Sequence, residues 1–390
     1  MTDIAAGRIL SNPGFRQGLL KSVQDNKLIL AVGSSAVLFG QMAPFERERG
    51  SAPVPVRADD RTFAPAGTEA PRKPAASKCI RKPVHPVVGR FAPSPTGRMH
   101  AGNVFAALMS WLIAKSQDGR IVLRIEDLDA QRSRAAYADQ VQRDFELLGL
   151  TWDEGPYFQQ ERNEAYRAAF ESLEERGLIY PCFCSRADLH AASAPHRGEK
   201  LVYPGTCRNL SVAERNRRSA ERTPAWRIRV PARSWSIDDL VQGGYAQNLA
   251  RDCGDFLVRR SDGAFAYQLA VILDDAVQGV NCVVRGVDLL CSTPQQLFLQ
   301  ETLGMPHPAY AHVPLFVAER DRRLSKRDRD AGIDALLAAY KTPAGIIGHI
   351  AYLAGLADAD EPATPEALLA GFDVRTLPQR FPDRVQILWR

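Results

Sequence analysis

The stretch 90-RFAPSPTGRMHAGN-103 links a strand pattern to a helical pattern. The overlapping segment "VVGRFA" (87–92) is typical of a buried strand, and Val104, Leu108 and Leu112 then recur at helical spacing. Prolines set the turn between the two elements, and the tetrad His-Ala-Gly-Asn (100–103) opens the helix. A helix N-terminus offers free backbone N–H groups and a partial positive charge, so this arrangement suits a triphosphate. Taken alone, the stretch also fits a capped helix after a tight turn.

Strands and helices alternate beyond this stretch. "GRIVLRIEDLD" (119–129) predicts a second strand, and "RSRAAYADQVQRDFELLGL" (132–150) and "ERNEAYRAAFESLEERGLIY" (161–180) predict helices. Such alternation is typical of an α/β fold with a parallel sheet. Ligands of open α/β sheets bind at the carboxyl ends of the strands, where Ser94 and Glu126 fall.

Composition narrows the class of protein. The chain has 390 residues, 45% of them hydrophobic, and its net charge of +5 permits a polyanionic partner without requiring one. Seven cysteines, an odd number, argue against a secreted disulfide framework and favour a reducing compartment. The apolar run at 28–40 is too short and too rich in Gly and Ser to span a bilayer, and it lacks a signal-peptide pattern. We therefore expect a cytoplasmic protein with no membrane association.

The domain organisation follows from shifts in composition. Residues 52–86 contain seven prolines and almost no large apolar side chains, which is typical of a disordered tether. We therefore expect residues 1–86 to be a disordered extension or the product of a start codon assigned too far upstream. The remaining chain divides into a first half of a catalytic core (87–180), a Cys-, Pro- and Gly-rich insertion (181–225), a second half of the core (226–327) and a short helical C-terminal region (328–390).

A second motif, "RRLSKRD" (322–328), is a basic loop whose Lys326 could neutralise a departing pyrophosphate. A lone loop of this kind is usually a solvated turn. Together with the tetrad at 100–103, however, it resembles the HIGH and KMSKS signatures of class I aminoacyl-tRNA synthetases. "GRFAPSPTG", "RIEDLD", "FAYQLAVILDD" and "VVRGVDLL" are similar to segments of the glutamyl/glutaminyl branch. The resemblance implies a Rossmann-like nucleotide-binding core in which His100, Asn103 and Lys326 are catalytic and, with Gly102, bind ATP.

The same resemblance implies a glutamate pocket. Its matching positions are Arg90, Ser94, Glu126, Tyr267 and Arg285. A guanidinium group can meet a carboxylate with two hydrogen bonds, so the two arginines are expected to hold the two carboxylates of glutamate. Glu126 is the expected partner of the ammonium group, and Ser94 and Tyr267 are expected to orient the substrate. Either arginine can take the side-chain carboxylate, and Arg90 is favoured.

Four residues of the insertion form a pattern suited to a metal: Cys182, Cys184, Tyr203 and Cys207. Three thiolates and a phenolic oxygen can complete a tetrahedral zinc site, and a segment without its own core gains from a structural metal. Ordinary buried cysteines are the alternative. The Cys-Cys-Tyr-Cys arrangement is similar to that of the glutamyl-queuosine tRNA(Asp) synthetases, as is the short C-terminal region, which lacks room for an anticodon-binding domain.

That resemblance implies the activity. ATP, with Mg²⁺, would activate L-glutamate to glutamyl-adenylate, and the glutamate would pass to queuosine in the anticodon of tRNA(Asp), with one structural Zn²⁺ in a monomeric enzyme. One alternative is a truncated glutamyl-tRNA synthetase that charges tRNA(Glu). Another is a synthetase-like RNA-binding protein without catalysis. The five residues that match KMSKS read Arg-Leu-Ser-Lys-Arg (323–327) and depart from the family pattern, with Arg323 at the first position and Arg327 at the last.

Overall fold

The computed structural model describes residues 86–185, 187–189, 202–319, 322–323, 332–381 and 385–389, together with 31–32 and 35–36. The chain divides into two units, Met1–Arg81 and Lys82–Arg390. In the first unit, β1 (Ala31–Val32) pairs antiparallel with β2 (Ser35–Ala36). Residues 1–86 are predicted to be disordered. Apart from these two strands and Pro86, that segment lies outside the described residues.

The second unit is built on parallel strands, as the alternating pattern predicts. Strands β3 (Val88–Phe91), β4 (Arg120–Ile125) and β5 (Glu154–Phe158) form one parallel sheet in the order β3-β4-β5. Strands β11 (Cys282–Gly286) and β12 (Ala309–Val313) form a second parallel pair. Asn281 links the two sheets, because its backbone N–H donates to Val88 O at 3.0 Å and its side chain accepts from Val88 N–H at 2.8 Å.

The other strands form smaller sheets. Their bounds are β6 Ile179–Cys182, β7 Ala225–Ile228, β8 Ser234–Asp239, β9 Gly243–Asn248, β10 Leu257–Arg259, β13 Leu315–Glu319, β14 Arg322–Arg323 and β15 Gln386–Leu388. An antiparallel sheet has the order β10-β7-β6, a hairpin joins β8 to β9, and β13 pairs antiparallel with β14 and parallel with β15.

The helices of the second unit are α1 Ala101–Lys115, α2 Ala135–Leu147, α3 Asn163–Glu175, α4 Val212–Glu221, α5 Leu249–Asp252, α6 Tyr267–Val277, α7 Thr293–Leu303, α8 Ile333–Tyr340, α9 Pro343–Leu353, α10 Pro365–Leu369 and α11 Leu377–Arg380. None of the helices in this described part of the chain is long and apolar enough to cross a membrane.

Helix α1 lies at the centre of the main hydrophobic core. It contacts β3 and β11 as well as α9 and α10, so apolar residues on all its sides are buried. The ring of Phe105 packs against Phe316 and Phe381 with centroid distances of 5.0 and 6.1 Å. Because a helix buried all round has little freedom to shift, its N-terminus is held firmly beside the carboxyl ends of the strands.

The predicted helix over 161–180 is partly wrong. Helix α3 ends at Glu175, and Ile179–Cys182 form β6 instead. Gly177 adopts a φ of 66°, a left-handed conformation that glycine accepts without strain and that ends the helix. The pattern also gave no sign of β5, the β8–β9 hairpin or β15, which adds a strand to a C-terminal region predicted as helical.

Candidate active site and thiolate cluster

A cavity of about 690 Å³ opens at the carboxyl ends of β3, β4, β11 and β12. Eight of the residues predicted from the sequence line it: Arg90, Ser94, His100, Gly102, Asn103, Glu126, Tyr267 and Arg285. These residues span almost 200 positions, and the parallel sheet brings them together because its strands all end at one edge. Lys326, the remaining predicted ATP-binding residue, lies outside the described residues.

The N-terminus of α1 forms one side of the cavity. His100 is the N-cap residue: its Nδ1 accepts the Gly102 N–H at 3.1 Å, and its backbone N–H donates to Asn103 Oδ1 at 3.2 Å. Since Nδ1 is the acceptor, a neutral His100 carries its proton on Nε2, which is then its side-chain donor. A Cβ at position 102 would lie 3.1 Å from His100 Cε1, so glycine lets the ring sit close to the backbone.

Arg285, at the end of β11, is buried and held by three neutral partners. Its Nη1 donates to Tyr267 Oη at 3.3 Å, Nη2 to Thr293 Oγ1 at 2.7 Å and Nε to His312 Nε2 at 3.0 Å. One N–H on each terminal nitrogen remains, which is the fork that meets a carboxylate. Among the side chains that the structure describes, no acidic group forms an ion pair with Arg285. The side chain therefore presents a buried positive charge with an unfilled fork.

Arg90 is also buried, but unlike Arg285 it has an acidic side chain beside it in the described part of the chain. Its Nη1 donates to the Val284 carbonyl at 2.6 Å, and its Nε lies 3.8 Å from Asp275 Oδ1. Burial lowers the pKa of Arg90, while the nearby Asp275 acts in the opposite direction. An acidic neighbour thus already offsets part of the Arg90 charge, which distinguishes it from Arg285.

Glu126 stands beside a buried cation that the sequence analysis missed, Arg124. Arg124 is completely buried in β4; its Nη1 donates to Asp275 Oδ1 at 2.8 Å, and its Nη2 donates to Glu126 Oε1 at 3.4 Å. Burial raises the pKa of Glu126, and Arg124 is the strongest influence against that rise. The available signal was Arg124, enclosed by apolar residues in "IVLRI" (121–125), together with the two adjacent acids in the apolar segment "VILDDA" (271–276).

The predicted metal-binding residues meet in the insertion. The sulfur atoms of Cys182, Cys184 and Cys207 all lie within 4.8 Å of one another. Tyr203 Oη lies 3.5 Å from Cys182 Sγ and accepts the Cys207 N–H at 2.9 Å. This donor set of three sulfurs and one phenolic oxygen fits a tetrahedral metal ion such as zinc. The cysteine cluster could therefore hold a metal.

The sulfur atoms of the cluster are crowded, and nearby donors offset only part of the charge that thiolates would carry. Burial, with the adjacent Cys182 sulfur next in importance, raises the pKa of the Cys184 thiol to about 12, so thiolates this close together need a compensating cation. The Phe183 N–H points at Cys207 Sγ at 3.4 Å, and Arg227 Nε donates to Cys182 Sγ at 3.3 Å. The Arg227 guanidinium also lies over the Tyr203 ring, 3.8 Å from its centroid. Arg227 was not foreseen from the sequence.

Comparison with known proteins agrees with this geometry. The chain matches the family described as "tRNA synthetases class I (E and Q), catalytic domain" over residues 86–345. The glutamyl-Q tRNA(Asp) synthetase of Symbiobacterium thermophilum is 46% identical over 304 residues, which cover 75% of this chain and 94% of that protein. Its counterpart from Nitratidesulfovibrio vulgaris is 44% identical over 303 residues, with the same coverage of 75% and 94%.

A solved structure supports the same fold. The glutamate tRNA ligase from Elizabethkingia meningosepticum, in complex with its amino acid, matches with a TM-score of 0.63 and 27% identity. The match covers 75% of this chain and 65% of that ligase, so the chain corresponds to slightly less than two thirds of the ligase's length. With its parallel sheet, its motif-bearing helix α1 and these relatives, the chain belongs to the glutamyl-Q tRNA(Asp) synthetase family, whose catalytic domain is that of the class I tRNA synthetases.

Proposed function

We propose that this enzyme activates L-glutamate with ATP to form glutamyl-adenylate and transfers the glutamate to queuosine in the anticodon of tRNA(Asp). One observation carries the proposal: the cavity puts two buried arginines and a carboxylate beside the N-terminus of α1. Two cations and one anion are the complement of glutamate, whose two carboxylates and one ammonium group have the opposite charges. The names of the relatives from S. thermophilum and N. vulgaris support the choice of acceptor.

We assign the side-chain carboxylate of glutamate to Arg285. Among the described side chains Arg285 has no acidic partner, whereas Arg90 already faces Asp275 at 3.8 Å. This choice reverses the preference for Arg90 that the sequence suggested. Glu126 is then the partner of the ammonium group, and Ser94 and Tyr267 orient the substrate.

The nucleotide is assigned to the N-terminus of α1. Gly102 leaves room for the adenine ring, while His100 and Asn103 donate to phosphate oxygens, with Lys326 completing the ATP site and Mg²⁺ accompanying ATP. A glutamate α-carboxylate oxygen attacks the α-phosphorus, the bond to the bridging oxygen breaks, and pyrophosphate leaves with the electron pair. In the second step a hydroxyl of the queuosine cyclopentenediol attacks the acyl carbon and AMP leaves. Both steps depend on positioning and charge stabilisation, without a protein nucleophile.

A direct transfer assay tests the proposed function. The full-length protein is incubated with ATP, Mg²⁺ and labelled glutamate, and is then offered queuosine-containing tRNA(Asp), unmodified tRNA(Asp) or tRNA(Glu). We expect label only on the queuosine-containing RNA. Label on tRNA(Glu) instead would identify a truncated glutamyl-tRNA synthetase, and absence of glutamate-dependent ATP–pyrophosphate exchange would identify a non-catalytic RNA-binding protein.

We further propose that the thiolate cluster holds one structural Zn²⁺ through Cys182, Cys184, Tyr203 and Cys207. The ion would neutralise the thiolates and cross-link two ends of an insertion whose cluster of buried side chains is small.

We propose the same domain organisation that the sequence predicts. It consists of an extension at 1–86, a catalytic core in two halves (87–180 and 226–327) separated by the insertion (181–225), and a short C-terminal region (328–390). We also propose that the enzyme is a cytoplasmic monomer with no membrane association.

Metal analysis tests the zinc site. Purified protein is expected to contain about one zinc per chain, and Cys207→Ser is expected to lose most of it, because a serine hydroxyl is a far poorer zinc ligand than a thiolate. Elemental analysis by mass spectrometry gives the stoichiometry. Cys291→Ser is the matched control, since Cys291 lies outside the cluster and should keep the metal. A metal-free wild-type protein would contradict the assignment.

A further inference from the structure

Behind Arg285 lies a buried polar chain that the sequence motifs do not include. Arg285 Nε donates to His312 Nε2 at 3.0 Å, and His312 Nδ1 lies 2.6 Å from Asp239 Oδ2. The side chains of His312 and Asp239 are both fully buried. His312 comes from β12 and Asp239 from the β8–β9 hairpin. These hydrogen bonds therefore connect Arg285, in the cavity, to a hairpin that does not line the cavity.

The contacts define the protonation state of His312. Arginine has no acceptor, so His312 Nε2 must offer its lone pair to Arg285 Nε. The proton of a neutral imidazole then sits on Nδ1 and is donated to the Asp239 carboxylate. Burial lowers the pKa of His312, although the hydrogen bond to Asp239 acts to raise it, and the adjacent Arg285 further disfavours a second positive charge.

Asp239 is itself fixed by backbone donors. Its Oδ1 accepts the N–H groups of Val241 at 3.0 Å and Gln242 at 2.9 Å, and the His312 N–H lies 3.1 Å from both carboxylate oxygens. A carboxylate held by three backbone N–H groups stays ionised and cannot rotate freely. The Asp239–His312 pair is therefore rigid, and His312 Nε2 is the atom that accepts the hydrogen bond from Arg285 Nε.

We propose that Asp239 and His312 are positioning residues that orient the Arg285 fork toward the side-chain carboxylate of glutamate. The inference rests on the proposed function, because it assumes that Arg285 binds this carboxylate. Neither residue touches substrate; they act by fixing the plane of the guanidinium group through Nε. Thr293, which accepts from Arg285 Nη2 and lies 3.1 Å from His312 Nε2, completes the support.

An isosteric variant separates this role from general stability. In Asp239→Asn, Oδ1 can keep the Val241 and Gln242 N–H groups, while the amide nitrogen takes the place of Oδ2 and donates to His312 Nδ1. The proton of His312 must then move to Nε2, where it opposes the Arg285 Nε–H. We expect the KM for glutamate in ATP–pyrophosphate exchange to rise about tenfold to a hundredfold, because one hydrogen bond to a charged group is lost, with the KM for ATP unchanged.

A second pair of variants provides the matched control. His312→Gln and His312→Leu both lose the bond to Asp239, so they share the structural cost. Only glutamine can place a carbonyl oxygen where Nε2 was and accept from Arg285 Nε. We expect the KM for glutamate to rise further in His312→Leu than in His312→Gln. Nitrogen NMR of the His312 side chain in the folded wild-type protein should show the Nδ1–H tautomer.

The outcomes distinguish the inference from the proposed function. If wild-type protein catalyses glutamate-dependent exchange and Asp239→Asn has the wild-type KM for glutamate, the positioning role is wrong while the function stands. An Nε2–H tautomer in wild-type protein would overturn the positioning role in the same way. A wild-type protein without any glutamate-dependent exchange would instead overturn the proposed function and, with it, the role given to Arg285.

Discussion

Arg124→Met is expected to lower the free energy of unfolding by about 3–5 kcal/mol. Arg124 has no exposed surface, and its guanidinium donates to Asp275 Oδ1 at 2.8 Å and lies 3.8 Å from Asp274 Oδ2. Methionine fills a similar volume but removes the charge, so buried carboxylates lose their cation. The pKa of Glu126, already raised by burial, should rise further, because Arg124 is the main group that opposes the rise.

Urea denaturation followed by circular dichroism measures this change. Arg251→Met is the matched control: Arg251 forms an ion pair with Asp252, but 79% of its side chain is exposed, so its loss should matter little. The double variant Arg124→Met with Asp275→Asn should recover part of the stability, because it removes one of the stranded charges. An Arg124→Met protein as stable as the Arg251→Met control would show that the network is not what compensates these carboxylates.

Arg285→Met is expected to lower kcat/KM for glutamate about 10³-fold, or about 4 kcal/mol. The variant keeps a buried side chain but offers no fork, so the substrate carboxylate would enter a buried site without a cation. Glutamate-dependent ATP–pyrophosphate exchange measures the loss. Arg285→Lys should be intermediate, because an ammonium group retains the charge but cannot reach Tyr267, Thr293 and His312 in the planar geometry of a guanidinium.

Glutamine provides the discriminating substrate for this prediction. It has nearly the shape of glutamate and carries a neutral amide in place of the side-chain carboxylate. If Arg285 binds that carboxylate, Arg285→Met should lose most of the preference for glutamate over glutamine, whereas Arg90→Met should retain it. The reverse result, with discrimination lost only in Arg90→Met, would return the side-chain carboxylate to Arg90.

Much of the catalytic core was predictable because its signals are local. The tetrad at 100–103 caps α1 through bonds between residues two and three positions apart, Gly102 to His100 and His100 to Asn103. The C-x-C pair at Cys182 and Cys184 likewise carries its spacing in the sequence. Prediction weakened where a single residue changes the element type, as Gly177 does between α3 and β6.

Polar contacts between residues far apart in the chain were not predictable in the same way. Arg124 and Asp275 lie 151 positions apart, and Asp239 and His312 lie 73 apart. Arg124 and His312 each appear in the sequence as a charged or polar residue in an apolar segment, which signals burial but not the identity of the partner. The preference for Arg90 over Arg285 changed for this reason, because only the tertiary structure shows that Asp275, on α6, faces Arg90 and not Arg285.

The sequence by itself determined the N-cap of α1, the C-x-C pair and which family the chain resembles, because motif residues at fixed spacing impose their own turn, cap and donor set. Tertiary structure alone decided how the charges are balanced, since a buried charge interacts strongly with whatever lies within a few ångströms, regardless of separation along the chain. The contact between β4 and α6 paired Arg124 with Asp275, and the parallel register of β11 and β12 set His312 beside Arg285.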